Sequence, residues 1–237
     1  MTADAHPRYQ LAIEVAVAAV AGAAGVANPD AGAIATGLSP LAVAGLGRMF
    51  GAMGLRRRSN AAETVMDAAE AFGAETEAQF IEFIEAAVFD PERQELLART
   101  LVIAQDTAMR DKRRALGRAL AAGIRGDGAR IDEELLFVRA IADVGIPHIK
   151  LLKILSEKQE PIRGSGGGSA PQGRSLAAVA AQHPEFGGTL PALIWTLESH
   201  ALIQTSRLAT PTSAVQYTVT SAGRQLLDRL IEDFSKP

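Results

Sequence analysis

The sequence predicts a mainly α fold: a helical bundle followed by a C-terminal module that holds one small β-hairpin. Three observations lead there. Between residues 59 and 157, apolar side chains recur at helical spacing between short turns. Asp90-Pro91-Glu92 is a helix start, with a capping acid, a proline at the first helical position and an acid in the first turn. Near the C-terminus, Ala201-Leu202-Ile203 and Tyr217-Thr218-Val219 are two short strand candidates flanking a Pro-containing turn, and a closing helix follows.

The chain has 237 residues, enough for two domains. Hydrophobic residues make up 48%, enough for a sizeable core, although alanine supplies much of this and buries little area per residue. A net charge of -3 gives no global attraction to nucleic acid or to an acidic membrane. No cysteine is present, so disulfides and thiolate chemistry are excluded. This composition suits a cytoplasmic protein. The first residues are polar and acidic, which is not the pattern of a secretory signal.

Residues 1–58 form an apolar zone rich in Ala and Gly. One helix is expected over 9–27, closed by Asn28-Pro29-Asp30, and another from Ser39-Pro40 to about Met53. A membrane span needs about 20 continuous apolar residues. Both pieces fall short, and they carry Glu14 and Arg48. Soluble packed helices are therefore expected, with association of residues 9–54 with a membrane surface as the alternative. Arg56, Arg57 and Arg58 would follow as a helix end, where cations suit the dipole or would meet lipid headgroups.

Residues 59–144 read as a bundle. Asn60 is expected to cap a helix over 61–72 that ends at Gly73. The next helix, 75–89, should bury Phe80, Ile81, Ile84 and Val88. Helices from Asp90 to about Thr107 and over 112–124 follow. Asp132-Glu133-Glu134 should open another helix, as acids at its positive end, with Leu135, Val138, Ile141 and Ala142 inward. Gly145-Ile146-Pro147 ends it. Short turns between such helices predict antiparallel neighbours. Arg110, Arg114 and Arg118 share one helical face. That face either meets phosphates or lipid headgroups, or pairs with the acidic helices at 63–85.

Residues 145–237 form the third zone. It starts with a helix over 147–156 and contains a flexible Gly/Ser loop at 161–174. A short helix over 175–182 and the helix near 190–200 precede the hairpin. The run from Thr189 through the hairpin to Leu227 resembles the second half of a winged helix. That resemblance implies a partner that is either DNA or a protein. On a wheel of about 100° per residue, Leu190, Leu193, Ile194, Leu197 and Ala201 share the core side. Ala192, Trp195, Thr196 and Ser199 lie opposite. A base-reading helix presents Arg, Lys, Asn or Gln there. Phosphate contacts would fall to Arg174 and Arg207 alone, beside a neutral loop at 209–213. Trp195 is better suited to anchoring a protein, either a partner or another copy of this chain, than to reading a base. Its alternative is packing against the helical zone of the same chain.

No constellation of catalytic residues stands out. His6, His148, His183 and His200 lack a second ligand at metal spacing. Gly164 to Gly168 lacks the following Lys-Ser/Thr of a phosphate cradle. The expectation is a non-enzymatic protein with no catalytic residue, cofactor or metal. The order of parts resembles the abortive-infection alpha type of bacterial protein. The apolar 31–54, the link Val144 to Leu152 and the segment Tyr217 to Gly223 carry the resemblance. Ser221 stands where a proline is common in such segments. The resemblance implies a phage-defence or stress-response component acting through protein contacts, with a membrane as a further partner. A DNA-binding winged-helix regulator is the alternative.

Overall fold

A computed structural model describes residues 55–157, 174–206 and 215–231. The apolar helices expected within 9–54, the Gly/Ser loop up to residue 173, the loop at 209–213 and Arg207 lie outside the described residues, as does the side chain of Arg56. Among the described residues the protein is mainly helical, with one small three-stranded antiparallel sheet. It divides into two compact units between Arg139 and Ala140. No described helix is long and apolar enough to cross a membrane.

The N-terminal unit contains α1 (Leu55–Phe72), α2 (Glu77–Phe89), α3 (Pro91–Asp106), α4 (Arg110–Arg125) and the start of α5 (Gly128–Asp143). Its core includes Val65, Phe83, Ile84, Leu96, Leu97, Leu101, Leu116 and Leu120. Helix α1 packs chiefly on α4. Small residues make that crossing close. A Cβ added at Gly117 would stand 2.9 Å from the Ala68 nitrogen and the Thr64 carbonyl oxygen of α1.

Helix α1 starts earlier than expected, and the difference has a tertiary cause. Asn60 does not cap it. Its Nδ2 instead donates to the carbonyls of Gln105 (3.1 Å) and Thr107 (3.4 Å), which the end of α3 leaves open. The three arginines therefore begin a helix, where the dipole disfavours cations. Arg57 is offset there by Asp106, 3.0 Å away. The end of α1 is as expected. Gly73, at φ +83, donates to Glu70, and Ala74 donates to Ala69, which is a Schellman close.

Helix α2 opens two residues later than the expected start at Glu75, behind a capping box of Thr76 and Gln79. Its buried face holds Phe83, fully buried 5.2 Å from the Phe72 ring, whereas Ile81 is only half-buried. Asp90 caps α3 by accepting from the amides of Glu92 (2.9 Å) and Arg93 (3.1 Å). Helix α5 begins a turn before Asp132, with Asp127 accepting from the Arg130 amide. Glu134 is thus no end-of-helix acid. It is fully buried and pairs with Arg130 at 2.6 Å. Leu135, Val138 and Ile141 are buried, but Ala142 is exposed near the end of the helix.

The C-terminal unit contains α6 (Ile146–Ser156), β1 (Arg174–Ser175), α7 (Leu176–Gln182), a 3-10 turn (Pro184–Thr189), α8 (Leu190–Ser199), β2 (Ile203–Ser206), β3 (Gln216–Val219) and α9 (Ser221–Ile231). The sheet order is β1-β3-β2, so the expected hairpin has gained a third, two-residue strand. Its register pairs Ile203 with Val219, Thr205 with Tyr217 and Arg174 with Tyr217. Helices α6, α8 and α9 pack around the sheet's apolar side through Leu151, Leu152, Leu193, Leu197, Val219, Leu226 and Leu230.

Candidate functional site

Helix α8 offers the most distinctive surface. Pro191 sits in its first turn, where a missing amide costs nothing. Leu190, Leu193, Ile194 and Leu197 are buried and fix its rotation. The outward side then carries Ala192, Trp195 and Ser199, all exposed, with Thr196 half-exposed beside them. Trp195 is 71% exposed, so the core of its own unit does not claim it. It is the chain's single tryptophan.

The hydroxyls around the indole turn back on their own helix. Thr196 Oγ1 donates to the Ala192 carbonyl at 3.1 Å, and Ser199 Oγ to that of Thr196 at 2.8 Å. What the face presents is therefore an indole amid small side chains. Glu198, exposed one turn beyond Trp195, is the one charge on this stretch. Glu198 is not among the residues expected on this face from the sequence, although i+3 spacing already places it beside Trp195.

The far end of α8 is firmly held. His200 Nε2 lies 2.9 Å from Asp143 Oδ2. Ala201 closes the helix at φ +52, a left-handed conformation that disfavours a Cβ. It was expected on the core side but is exposed at this turn. Its amide donates to Glu198 at 2.8 Å and the Leu202 amide donates to Leu197 at 2.9 Å. Thr220 Oγ1 donates to the Ala201 carbonyl at 2.7 Å and locks the turn.

The cations named from sequence lie elsewhere or are engaged. The Arg174 side chain is only 13% exposed, facing Glu157 at 3.6 Å and Gln182 at 3.5 Å. That leaves it little to offer a phosphate. Arg110 meets Glu63 at 3.4 Å. Arg114, with Arg110, bears on Asp67 of α1. Arg118 is half-buried and also engaged. Arg113, part of the same basic cluster in the sequence but off the face shared by Arg110, Arg114 and Arg118, makes the strongest of these ties. Its Nη2 lies 2.7 Å from Glu63, and its Nη1 donates to the carbonyls of Thr107 and Ala108, each at 3.0 Å. Its burial within a basic run gave no periodic signal. The basic face of α4 is thus largely spent on α1.

Among the described residues no group of three or more acidic or histidine side chains is placed to hold a metal ion. His183 lies 3.3 Å from Glu185, a local pair at a helix boundary. No family model, curated protein or solved structure matches this chain, so its function is read from its own residues.

Proposed function

We propose that this chain is a non-enzymatic binding protein whose C-terminal unit is a winged-helix module that docks a protein through the outward face of α8. The exposure of Trp195 beside small side chains, with Glu198 the one charge on the helix, carries this reading. Exposed tryptophan ringed by small residues is the composition of an interface anchor. The order helix, strand, two helices and hairpin, with the middle strand of the sheet coming last, supports the winged-helix assignment. Helix α8 then occupies the recognition position. Glu198 there would repel a phosphate backbone. A DNA-binding regulator is the second reading, with Arg207 as its main cation.

The setting we propose is phage defence or a stress response, on the resemblance in order of parts. Contact of residues 9–54 with a membrane surface belongs to the same reading. The test is a phage challenge of cells carrying empty vector, the wild-type chain or Trp195→Ala. Wild type is expected to lower plaque counts. The variant should return them to the vector level, because truncating an anchor costs about 2 kcal/mol or more of binding, some thirtyfold. Equal protection by both would remove Trp195 from the mechanism. No protection by wild type would remove phage defence.

A further inference from the structure

The outward face of α8 holds a charge beside its indole. Trp195 and Glu198 stand three residues apart, so their Cβ atoms lie about 5–6 Å from each other on adjoining turns. Side chains on a helix lean towards its N-terminus, which brings Glu198 back towards the turn that holds Trp195. Both residues are exposed. Thr196 and Ser199 donate their hydroxyls to carbonyls of their own helix, not to Glu198. Among the described residues no Lys, Arg or His forms an ion pair with Glu198, and neighbouring His200 is held by Asp143. The carboxylate's field is still felt on β3: burial makes the Tyr217 hydroxyl hold its proton more tightly than usual, and Glu198 adds to that.

We infer that Trp195 and Glu198 together receive an arginine side chain of a partner protein. This rests on the reading of α8 as a protein-docking face and names what that face recognises. An indole attracts a cation over its ring, more strongly than the other aromatic side chains do. A guanidinium is planar, so it stacks on the indole and keeps its in-plane N–H donors for the carboxylate. A lysine ammonium is a compact point charge and serves the two groups together less well. Ala192 and Ser199, one turn to either side of Trp195, are small and leave room for the arginine stem. Glu198 would repel an acidic partner. It also disfavours a second copy of this chain, because a two-fold axis at Trp195 would set Glu198 close to its own counterpart.

The experiment selects ribosome-displayed random peptides on the full chain, with counter-selection on Trp195→Ala. Peptides that depend on Trp195 are expected to be enriched in arginine above lysine. One of them, labelled with fluorescein, is then titrated by anisotropy. Citrulline in place of its arginine keeps the shape and removes the charge, and should weaken binding about tenfold or more. Glu198→Gln should weaken the arginine peptide about tenfold yet leave the citrulline peptide nearly unchanged, as a shared contact requires. Both Trp195 and Glu198 are exposed, so neither change threatens the fold, and circular dichroism verifies this. Trp195-dependent peptides without an arginine excess overturn this inference and leave protein docking in place. So does a citrulline peptide, or a Glu198→Gln complex, that binds as tightly as the original. If no selected peptide depends on Trp195, the docking face itself fails and this inference with it. A dimer in sedimentation that Trp195→Ala breaks also overturns it, because a second copy then fills the face.

Discussion

Gly223→Ala is expected to lower the stability of the C-terminal unit by about 3 kcal/mol, the upper end of what overpacking costs. A Cβ at Gly223 would come well inside 3.0 Å of the Leu202 carbonyl oxygen, and it would also crowd a Val219 methyl. Backbone cannot rotate away as a side chain can. Moving α9 off Leu202 would also break its cap. Thr220 accepts from the Gly223 amide at 3.0 Å through Oγ1, and its own amide donates to Leu202 at 3.0 Å. The same threonine locks the turn at Ala201 behind α8, so the disturbance reaches the Trp195 helix. Thermal unfolding followed by far-UV circular dichroism should show a midpoint drop of more than about 10 °C for a unit of this size. A drop within about 2 °C would mean that α9 and Leu202 are not in such close contact.

Glu63→Ala is expected to cost the N-terminal unit about 2–3 kcal/mol, somewhat less than breaking a fully buried ion pair. The Glu63 carboxylate takes two hydrogen bonds from Arg113, at 2.7 and 3.1 Å, and Arg113's side chain is only 11% exposed. Without Glu63 that guanidinium keeps only the carbonyls of Thr107 and Ala108. Glu63→Gln should lose less, because an oxygen acceptor can remain. A pH signature accompanies the loss. Burial, with Glu63 adding its repulsion, pushes the Asp67 carboxyl up to about 6. A group whose proton affinity is higher in the folded state favours folding as it takes up its proton. Asp67 therefore adds stability as pH falls from 7 through about 6 towards its ordinary range. Removing Glu63 weakens that upward push, so Glu63→Ala should gain less than wild type from pH 7 to pH 5. Urea unfolding at the two pH values measures both effects. A variant within 0.5 kcal/mol of wild type, about the size of an ordinary surface change, would contradict the buried pair.

Local chemistry was legible in the sequence where it is self-contained. Asp90-Pro91 begins α3 because the aspartate caps its own next turn, and Gly73 ends α1 because a left-handed residue is needed there. The core side of α8 followed from period alone. Features set by distant parts of the chain were not legible. Asn60 has the side chain of a cap, but the carbonyls at the end of α3 claim it. Phe83 fell outside the expected stripe because α2 is covered by α1, α3 and α4, so its buried face is wider than one stripe. Glu134 looks like a helix-opening acid until the true start at Gly128 turns it inward onto Arg130. Strand β1 has two residues and no alternation to detect.

The candidate face divides in the same way. The wheel placed Ala192, Trp195, Thr196 and Ser199 together, and they are together on α8. That Thr196 and Ser199 spend their hydroxyls on the helix, and that Arg174 is largely buried, are consequences of tertiary packing and local rotamers that spacing does not reveal.

Whether α8 meets a protein or DNA decides most directly what this chain does. The measurement is anisotropy of a labelled duplex titrated with the full-length chain, first at low and then at moderate salt. We expect no saturable binding at micromolar protein even at low salt, because a face of Trp195 and Glu198 supplies no cation for phosphate and no base-reading side chain. Submicromolar binding that survives competitor DNA would contradict the protein-docking reading and make this chain a DNA-binding regulator.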